Sequence, residues 1–209
     1  MALQKADATI TGEQNLTDAD ILEIQDTLVI SDPTKILTSK GARYSIDGLN
    51  DTQKAQTLQQ AIDEAGRSSW VYAPPATYDL NSTSASITVK FRETTLFSLG
   101  RSQCIIQNSG GGHALLIDGD EESGALYRST IMNMACLTPK SLETLTGDAI
   151  HINGNVTSFR GINMHVIQAD RDAIHIDGAP SAYIDCQITE KGLPTGIGRY
   201  TTFFDNCND

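Results

Sequence analysis

The chain has 209 residues, with 15 Lys and Arg against 26 Asp and Glu, so its formal net charge is −11. Repulsion from this charge works against nucleic acid and anionic membrane surfaces, and we expect neither as a partner. No apolar run approaches the roughly 18 residues that span a bilayer. Neutral glycans remain possible ligands, whereas an anionic glycan needs a local basic pocket, for which the candidates are Arg160, Arg171, Lys191 and Arg199.

The first 40 residues differ in pattern from the rest of the chain and are predicted to be a leader. Thr17 can cap a short helix whose apolar face is only partial, formed by Ile21, Leu22, Ile24 and Leu28. Ile21 and Leu28 are one heptad apart, which suits a trimeric stem, and a lone amphipathic turn is the alternative.

A clearer helical signal follows at residues 52–65. Asp51 or Thr52 can cap the segment and Gly66 can end it, while apolar residues recur at helical spacing: Ala55, Leu58, Ile62 and Ala65. Beyond this helix the pattern indicates short strands only. The first of them are residues 70–72, stopped by two prolines, and residues 77–80.

Three segments of the second half share the pattern Ala-(Leu/Ile)-x-Ile-(Asp/Asn)-Gly. They begin at Ala114, Ala149 and Ala173, with offsets of 35 and 24 residues. Each segment is too short to form a core alone, but equivalent strands stacked in register build a continuous one. Alternation within these strands predicts that the isoleucines point inward and that His151 and His175 point outward.

A second family of short strands alternates with the first. Its members are Ile131–Met134, Gly161–Met164, Tyr183–Cys186 and Phe203–Asn206. The 35-residue offset is 11 residues longer than the 24-residue offset. The extra residues fall at 119–124 and 138–146, and we expect these segments to protrude as loops. From about residue 68 onward, the repeats therefore predict stacked parallel strands.

The segment from Gly41 to Tyr78 carries three motifs in order: GARYSIDGLNDT at residues 41–52, LQQAIDEA at residues 58–65 and WVYAPPATY at residues 70–78. This order resembles the opening of the pectate-lyase-like superfamily found in phage tailspikes, although Ala76 stands where that family usually has Gly. The resemblance implies an all-β fold, a right-handed parallel β-helix (solenoid), with an N-terminal capping α-helix. It also implies a homotrimer.

On this basis residues 1–40 are expected to be a virion-attachment or stem segment that contacts other phage tail or baseplate proteins. Residues 41–209 are expected to be the β-helix domain. Only five residues follow Phe204, which are too few to build a cap, so we expect this domain to be incomplete at its C-terminal end or covered by a partner.

The repeats supply candidate site residues. Cleavage of a polysaccharide needs two carboxylates across a glycosidic bond, or a base with charge stabilisation. Asp148 and Asp172 occupy the same repeat position, and Asp170 lies nearby, so these three are the candidate catalytic residues. Neighbouring carboxylates would raise the pKa of one of them. The candidate substrate-binding residues are His151, His175 and Arg171. The structural alternative is that the aspartates cap backbone N–H groups.

Neither a metal nor a cofactor is predicted. Gly110–Gly112 lacks the Lys-Ser/Thr of a phosphate loop, and Asp118–Glu122 lacks the spaced ligands of a calcium loop. Four widely spaced cysteines show no C-x-x-C pair and are interpreted as buried thiols: Cys104, Cys136, Cys186 and Cys207.

Three functions remain open. The first is a phage tailspike, a virion protein acting outside the cell, that recognises a bacterial surface polysaccharide and depolymerises it in its longer form. The second is a secreted polysaccharide lyase or glycoside hydrolase, disfavoured because residues 1–12 do not resemble a secretory signal. The third is a structural or adhesive virion protein without catalysis.

Overall fold

The computed structural model describes residues 34–119, 126–139, 146–153, 156–177, 181–188 and 200–205. Within these ranges the chain forms one helix, α1 (Asp51–Ala65), and 16 strands. The strands are β1 (Lys35–Thr38), β2 (Arg43–Ser45), β3 (Ser69–Tyr72), β4 (Ala76–Asp79), β5 (Ile87–Val89), β6 (Thr94–Phe97), β7 (Cys104–Gln107), β8 (Leu115–Asp118), β9 (Leu126–Tyr127), β10 (Thr130–Met132), β11 (Ala135–Leu137), β12 (Ile150–Asn153), β13 (Val156–Gln168), β14 (Asp172–Asp177), β15 (Ser181–Ile188) and β16 (Tyr200–Asp205). No helix in the described ranges has the length and apolar character needed to cross a membrane.

Helix α1 begins at a capping box. The Asn50 side chain accepts a hydrogen bond from the Gln53 N–H at 2.9 Å, and the Gln53 side chain accepts one from the Asn50 N–H at 3.0 Å. Gly66 follows the last helical residue with a φ of 64°, a conformation that favours glycine. The predicted helix is confirmed, but its N-cap is Asn50, not Asp51 or Thr52.

Helix α1 buries its apolar face against β4, β1, β3 and β5. The fully enclosed residues on this face include Ala55, Leu58 and Ile62. Gln59 lies beside β5, where its amide donates to the Thr88 carbonyl at 3.1 Å and its oxygen accepts from the Thr88 N–H at 2.7 Å. Strand β5 is at the edge of its sheet, so this side chain satisfies backbone groups that would otherwise be unpaired.

The shared repeats form a five-stranded parallel sheet in the order β16-β14-β12-β8-β5. Its register follows the sequence repeats, because Ile150 pairs with both Leu115 and Ile174, and His151 pairs with His175. The predicted alignment of these three segments is therefore confirmed. Equivalent residues of the three repeats lie next to one another across the sheet.

The remaining strands form an eleven-stranded mixed sheet. Its main path is β2-β1-β3-β6-β10-β13-β11-β7-β4, with β15 and β9 also paired to β13. The pairings of β1 with β2 and with β3 are antiparallel, whereas those among β3, β6, β10 and β13 are parallel. Strand β13 has 13 residues and pairs with four strands, β9, β10, β11 and β15. It therefore connects strands that the sequence pattern treats as separate.

The expected all-β, right-handed parallel β-helix is therefore wrong as the fold class. The described residues form a mixed sheet, a smaller parallel sheet and one helix that contributes to the core, an α/β arrangement. The antiparallel strand β1 lies inside the supposed leader of residues 1–40 and is part of the large sheet. The expected place of Phe203 in the second strand family is also wrong, since this residue pairs with His175 in the five-stranded sheet.

The main core lies between these sheets and under α1. The described cysteines in it, Cys104 and Cys136, are buried free thiols as expected, and burial raises the pKa of Cys104 to about 12. Cys186 is only partly buried. The predicted helix after Thr17, most of loops 119–124 and 138–146, Cys207 and the residues after Asp205 lie outside the described ranges.

Candidate functional site

Three residues at one repeat position meet at the start of the five-stranded sheet. His113, Asp148 and Asp172 lie at or just before the start of three neighbouring strands, β8, β12 and β14. Backbone hydrogen bonds hold these segments side by side: the Ala114 N–H donates to the Asp148 carbonyl, and the Ala149 N–H donates to the Asp172 carbonyl, both at 3.0 Å. Backbone bonding between consecutive strands therefore fixes the spacing of these side chains. Together with Arg171, His151 and His175 they form what we call the His–Asp cluster.

Gly147 allows the backbone segments that lead into β8 and β12 to approach each other closely. A Cβ at this position would lie 2.5 Å from the Gly112 carbonyl oxygen, a distance that real Cβ atoms do not show. The Gly147 carbonyl also accepts a hydrogen bond from the Arg171 N–H at 2.8 Å. Since Gly112 and Gly147 directly precede His113 and Asp148, the glycine determines how closely those two side chains lie.

Asp148 is the shared acceptor of the cluster. Its Oδ1 accepts from the Arg171 Nε at 2.7 Å and from the Asp172 N–H at 3.2 Å. Its Oδ2 lies 2.6 Å from the His151 Nδ1 and also accepts from the second guanidinium arm of Arg171. The carboxylate is fully buried, and this bidentate ion pair with Arg171 compensates its charge.

The surroundings of Asp148 favour its charged form. Burial alone would raise its pKa, but the hydrogen bonds from His151 and Arg171, together with the charge of Arg171, outweigh burial and hold the pKa well below its ordinary value of 3.8. Burial also acts on Arg171, where it lowers the pKa. The hydrogen bond to Asp148 and the negative charges of Asp148 and Asp172 outweigh burial, so the pKa of Arg171 is raised. The pair therefore stays ionised at neutral pH.

The histidine rings pack against one another. His113 and His151 are stacked with ring centroids 4.3 Å apart, and His175 meets His151 edge-on at 4.6 Å. Burial lowers the pKa of His175; the charge of Asp148 opposes this, while His151 and Arg171 reinforce it. His175 is thus favoured in its neutral form.

Acid is expected to destabilise the fold through these groups. Because the folded-state pKa of His175 lies below 6.5, the unfolded chain takes up the proton first, and stability falls as the pH drops below that value. Asp148 adds to the loss below its ordinary pKa of 3.8, as the unfolded carboxylate protonates first. Each group can contribute at most about 1.4 kcal/mol per pH unit.

Urea unfolding at pH 7.5, 6.0 and 5.0 measures this dependence. His175→Gln should flatten the slope between pH 6.5 and 5.0 relative to the parent chain. Stability that is constant, or that rises, over this interval would contradict the expected sign.

The structure brings five of the six predicted site residues into direct contact. Asp170 has a different setting: its carboxylate accepts from the Thr146 N–H at 3.1 Å, and its own N–H donates to the Thr138 hydroxyl at 2.8 Å. It thereby joins the two described ends of the 138–146 segment. All three predicted catalytic carboxylates, Asp148, Asp170 and Asp172, are fully buried, and His175, which is expected from the sequence to point outward, is buried as well.

His113 is the residue that the sequence reasoning missed. It occupies the same repeat position as Asp148 and Asp172, so the alignment of the repeats was the signal that could have identified it. Its side chain is 27% exposed, compared with 22% for Arg171 and 12% for His151. These three side chains form the part of the cluster that a ligand can reach.

The cluster contains histidine and aspartate side chains, which are residue types that bind transition metals. The candidate ligand atoms of His113, Asp148 and His151 lie within 4.8 Å of one another. Existing contacts compete with that use. The His113 Nδ1 accepts a hydrogen bond from the Asp148 N–H at 3.1 Å, and Arg171 already supplies positive charge to the carboxylate. We therefore do not assign a metal to these residues.

No protein-family model matches the chain, and comparisons with curated proteins and with solved structures gave no significant match.

Proposed function

We propose that this chain is part of a bacteriophage tailspike and binds a bacterial surface polysaccharide at the His–Asp cluster. The observation that carries the proposal is the row of partly exposed nitrogen groups on His113, His151 and Arg171, held by a buried carboxylate. The motifs of residues 41–78 support the tailspike assignment. In this proposal the protein acts outside the host cell, as a homotrimer attached to other tail proteins through the part of residues 1–40 that precedes β1.

Sugar recognition suits this arrangement. A glycan presents hydroxyl groups that both donate and accept hydrogen bonds, and fixed polar groups in a largely buried cluster lose little conformational entropy when they bind. Arg171 is held by two bonds to Asp148, and the His151 ring is fixed between two other rings. The exposed groups are thus preorganised for a ligand.

Binding is a better proposal for this cluster than hydrolysis by its carboxylates. A glycosidase acid must carry a proton at working pH, and its partner must reach the sugar. Asp148 is fully buried and its pKa is held far below the ordinary value, so it cannot donate that proton near neutral pH. This observation favours the adhesive virion protein over a two-carboxylate depolymerase at this cluster.

The test is a binding panel of capsular and O-antigen polysaccharides from candidate hosts, measured by biolayer interferometry. His113→Gln should weaken binding to the selected glycan by roughly fivefold, the effect of about one hydrogen bond. His165→Gln is the matched control, because His165 lies on β13 outside the cluster.

Absence of binding across the panel, or equal losses in the two variants, would contradict the proposal. The same incubations report on cleavage: new reducing ends or absorbance of an unsaturated uronate would show that the chain is an enzyme and that a group other than ionised Asp148 supplies the acid.

A further inference from the structure

The hydrogen bonds of the cluster determine where each histidine carries its proton. The Asp148 N–H donates to the His113 Nδ1 at 3.1 Å, so that nitrogen is an acceptor and lacks a hydrogen, and its 3.3 Å approach to the Asp148 Oδ2 is a contact between two acceptors. A neutral His113 therefore has its hydrogen on Nε2. Its partly exposed ring presents a donor to solvent.

His175 has the same protonation for a different reason. The guanidinium Nη2 of Arg171 lies 2.7 Å from the His175 Nδ1, and an arginine can only donate. The His175 Nδ1 is thus an acceptor, and the neutral ring carries its hydrogen on Nε2. The 3.2 Å approach of this Nδ1 to Asp148 is then a contact between two acceptors that share the Arg171 donor.

His151 is the opposite case. Its Nδ1 lies 2.6 Å from the Asp148 Oδ2, and a buried carboxylate that remains ionised can only accept. The His151 Nδ1 must therefore donate, which leaves the lone pair on Nε2. Among the described residues, the His151 Nε2 has no hydrogen-bond partner, and the side chain is partly exposed.

Arg171 is the third residue at the solvent-exposed opening of the cluster, beside His113 and His151. It uses Nε and Nη2 for Asp148 and His175. Within the described ranges its Nη1 donates to no residue, and part of the side chain is exposed. The opening therefore offers one acceptor, the His151 Nε2, together with donors on His113 and Arg171.

We propose that His151 is the proton acceptor of this site, with Asp148 as the residue that positions it, and that it accepts a hydrogen bond from a hydroxyl of a neutral glycan. The glycan part of this inference rests on the proposed function. Asp148 fixes the ring through Nδ1 and keeps the lone pair on Nε2, the role of a carboxylate behind a histidine base. A neutral ligand is consistent with the net charge of −11.

Two measurements on the full chain test the proton acceptor without any ligand. Long-range proton–nitrogen NMR spectra of the 15N-labelled protein at pH 7.5 should show His151 protonated on Nδ1, and His113 and His175 on Nε2. Diethyl pyrocarbonate, which acylates an unprotonated ring nitrogen, should modify His151 faster than His113, as followed by peptide mass spectrometry. Exposure alone predicts the reverse order, since the side chains are 12% and 27% exposed.

An Nε2-protonated His151, or faster modification of His113, would overturn the assignment. Asp148→Ala tests positioning, because no side-chain acceptor then faces the His151 Nδ1 and the preference for Nδ1–H should be lost. An unchanged His151 spectrum in that variant would overturn the role of Asp148.

The pH dependence of binding then tests the ligand. A neutral polysaccharide from the panel should bind roughly fivefold more weakly once NMR reports His151 protonated, because the acceptor is lost. Equal or tighter binding would overturn the role of His151 as hydrogen-bond acceptor for the glycan. If no polysaccharide binds, the proposed function and the glycan contact fail together, and the NMR result still decides which histidine accepts the proton.

Discussion

Asp148→Asn is expected to lower the free energy of unfolding by about 2–4 kcal/mol, because it breaks a buried ion pair from one side. The asparagine keeps the size of the carboxylate but turns an NH2 group towards donors on Arg171 or His151. Arg171 would lose its bidentate partner and keep the 2.7 Å bond to the His175 Nδ1 and the 3.4 Å approach to Asp172. Its partial exposure allows some hydration, so the expected cost lies towards the lower half of the range for buried pairs.

Denaturant unfolding monitored by far-UV circular dichroism measures this loss. Asp47→Asn is the control, because Asp47 is exposed, and it should change stability by less than about 0.5 kcal/mol. The double variant Asp148→Asn/Arg171→Gln should cost less than the two single changes added together, since it removes the uncompensated charge. A cost for Asp148→Asn equal to that of the control would show that the pair does not stabilise the fold.

The repeated segments were predictable because strand register follows from residues that recur at fixed positions. Ile150 and Ile174 pair as the alignment requires, and the same alignment brings Asp148 close to His151 and Arg171. Helix α1 was predictable for a similar reason, since its capping residue and apolar spacing are local features. Local signals therefore located both the helix and most of the cluster.

The fold class was not predictable from those signals. Alternation within a strand does not determine its partner, so Phe203 fitted one strand family in sequence but pairs with His175 of the other. The antiparallel strand β1 lies in a segment without a strong pattern, and its pairing with β3 depends on contacts distant in sequence. Tertiary pairing therefore decided the sheet arrangement.

The chemistry of the cluster also exceeded what the sequence indicates. Stacked aspartates suggested two carboxylates competing for a proton, which would raise one pKa. In the structure His151 and Arg171, the residue directly before Asp172, both hydrogen-bond the Asp148 carboxylate, and its pKa is lowered instead. The directions of these two side chains reversed the expected electrostatics, and no repeat pattern specifies those directions. His113 escaped notice because its repeat carries Leu116 where the other two carry histidine.

Gly147→Ala is expected to lower the free energy of unfolding by about 2–4 kcal/mol, in the range of other steric overpacking in a well-packed interior. The new methyl group would lie 2.5 Å from the Gly112 carbonyl oxygen and 3.0 Å from that of Gly111. Both are backbone atoms, so the steric clash is relieved only if the backbone segments that carry His113 and Asp148 move apart. The same shift would weaken the 3.1 Å hydrogen bond from the Asp148 N–H to the His113 Nδ1.

Gly161→Ala is the matched control for this change. A Cβ there would meet only side-chain atoms, those of Ile184, Met164 and Phe159 at 3.2, 3.3 and 3.6 Å, which can adjust by small rotations. The control should therefore cost less than about 1.5 kcal/mol. Urea unfolding gives both values, and the NMR signals of the His113 ring should shift in Gly147→Ala alone. Equal stability losses in the two variants, with an unchanged His113 signal, would mean that the backbone approach at Gly147 does not determine the geometry of the cluster.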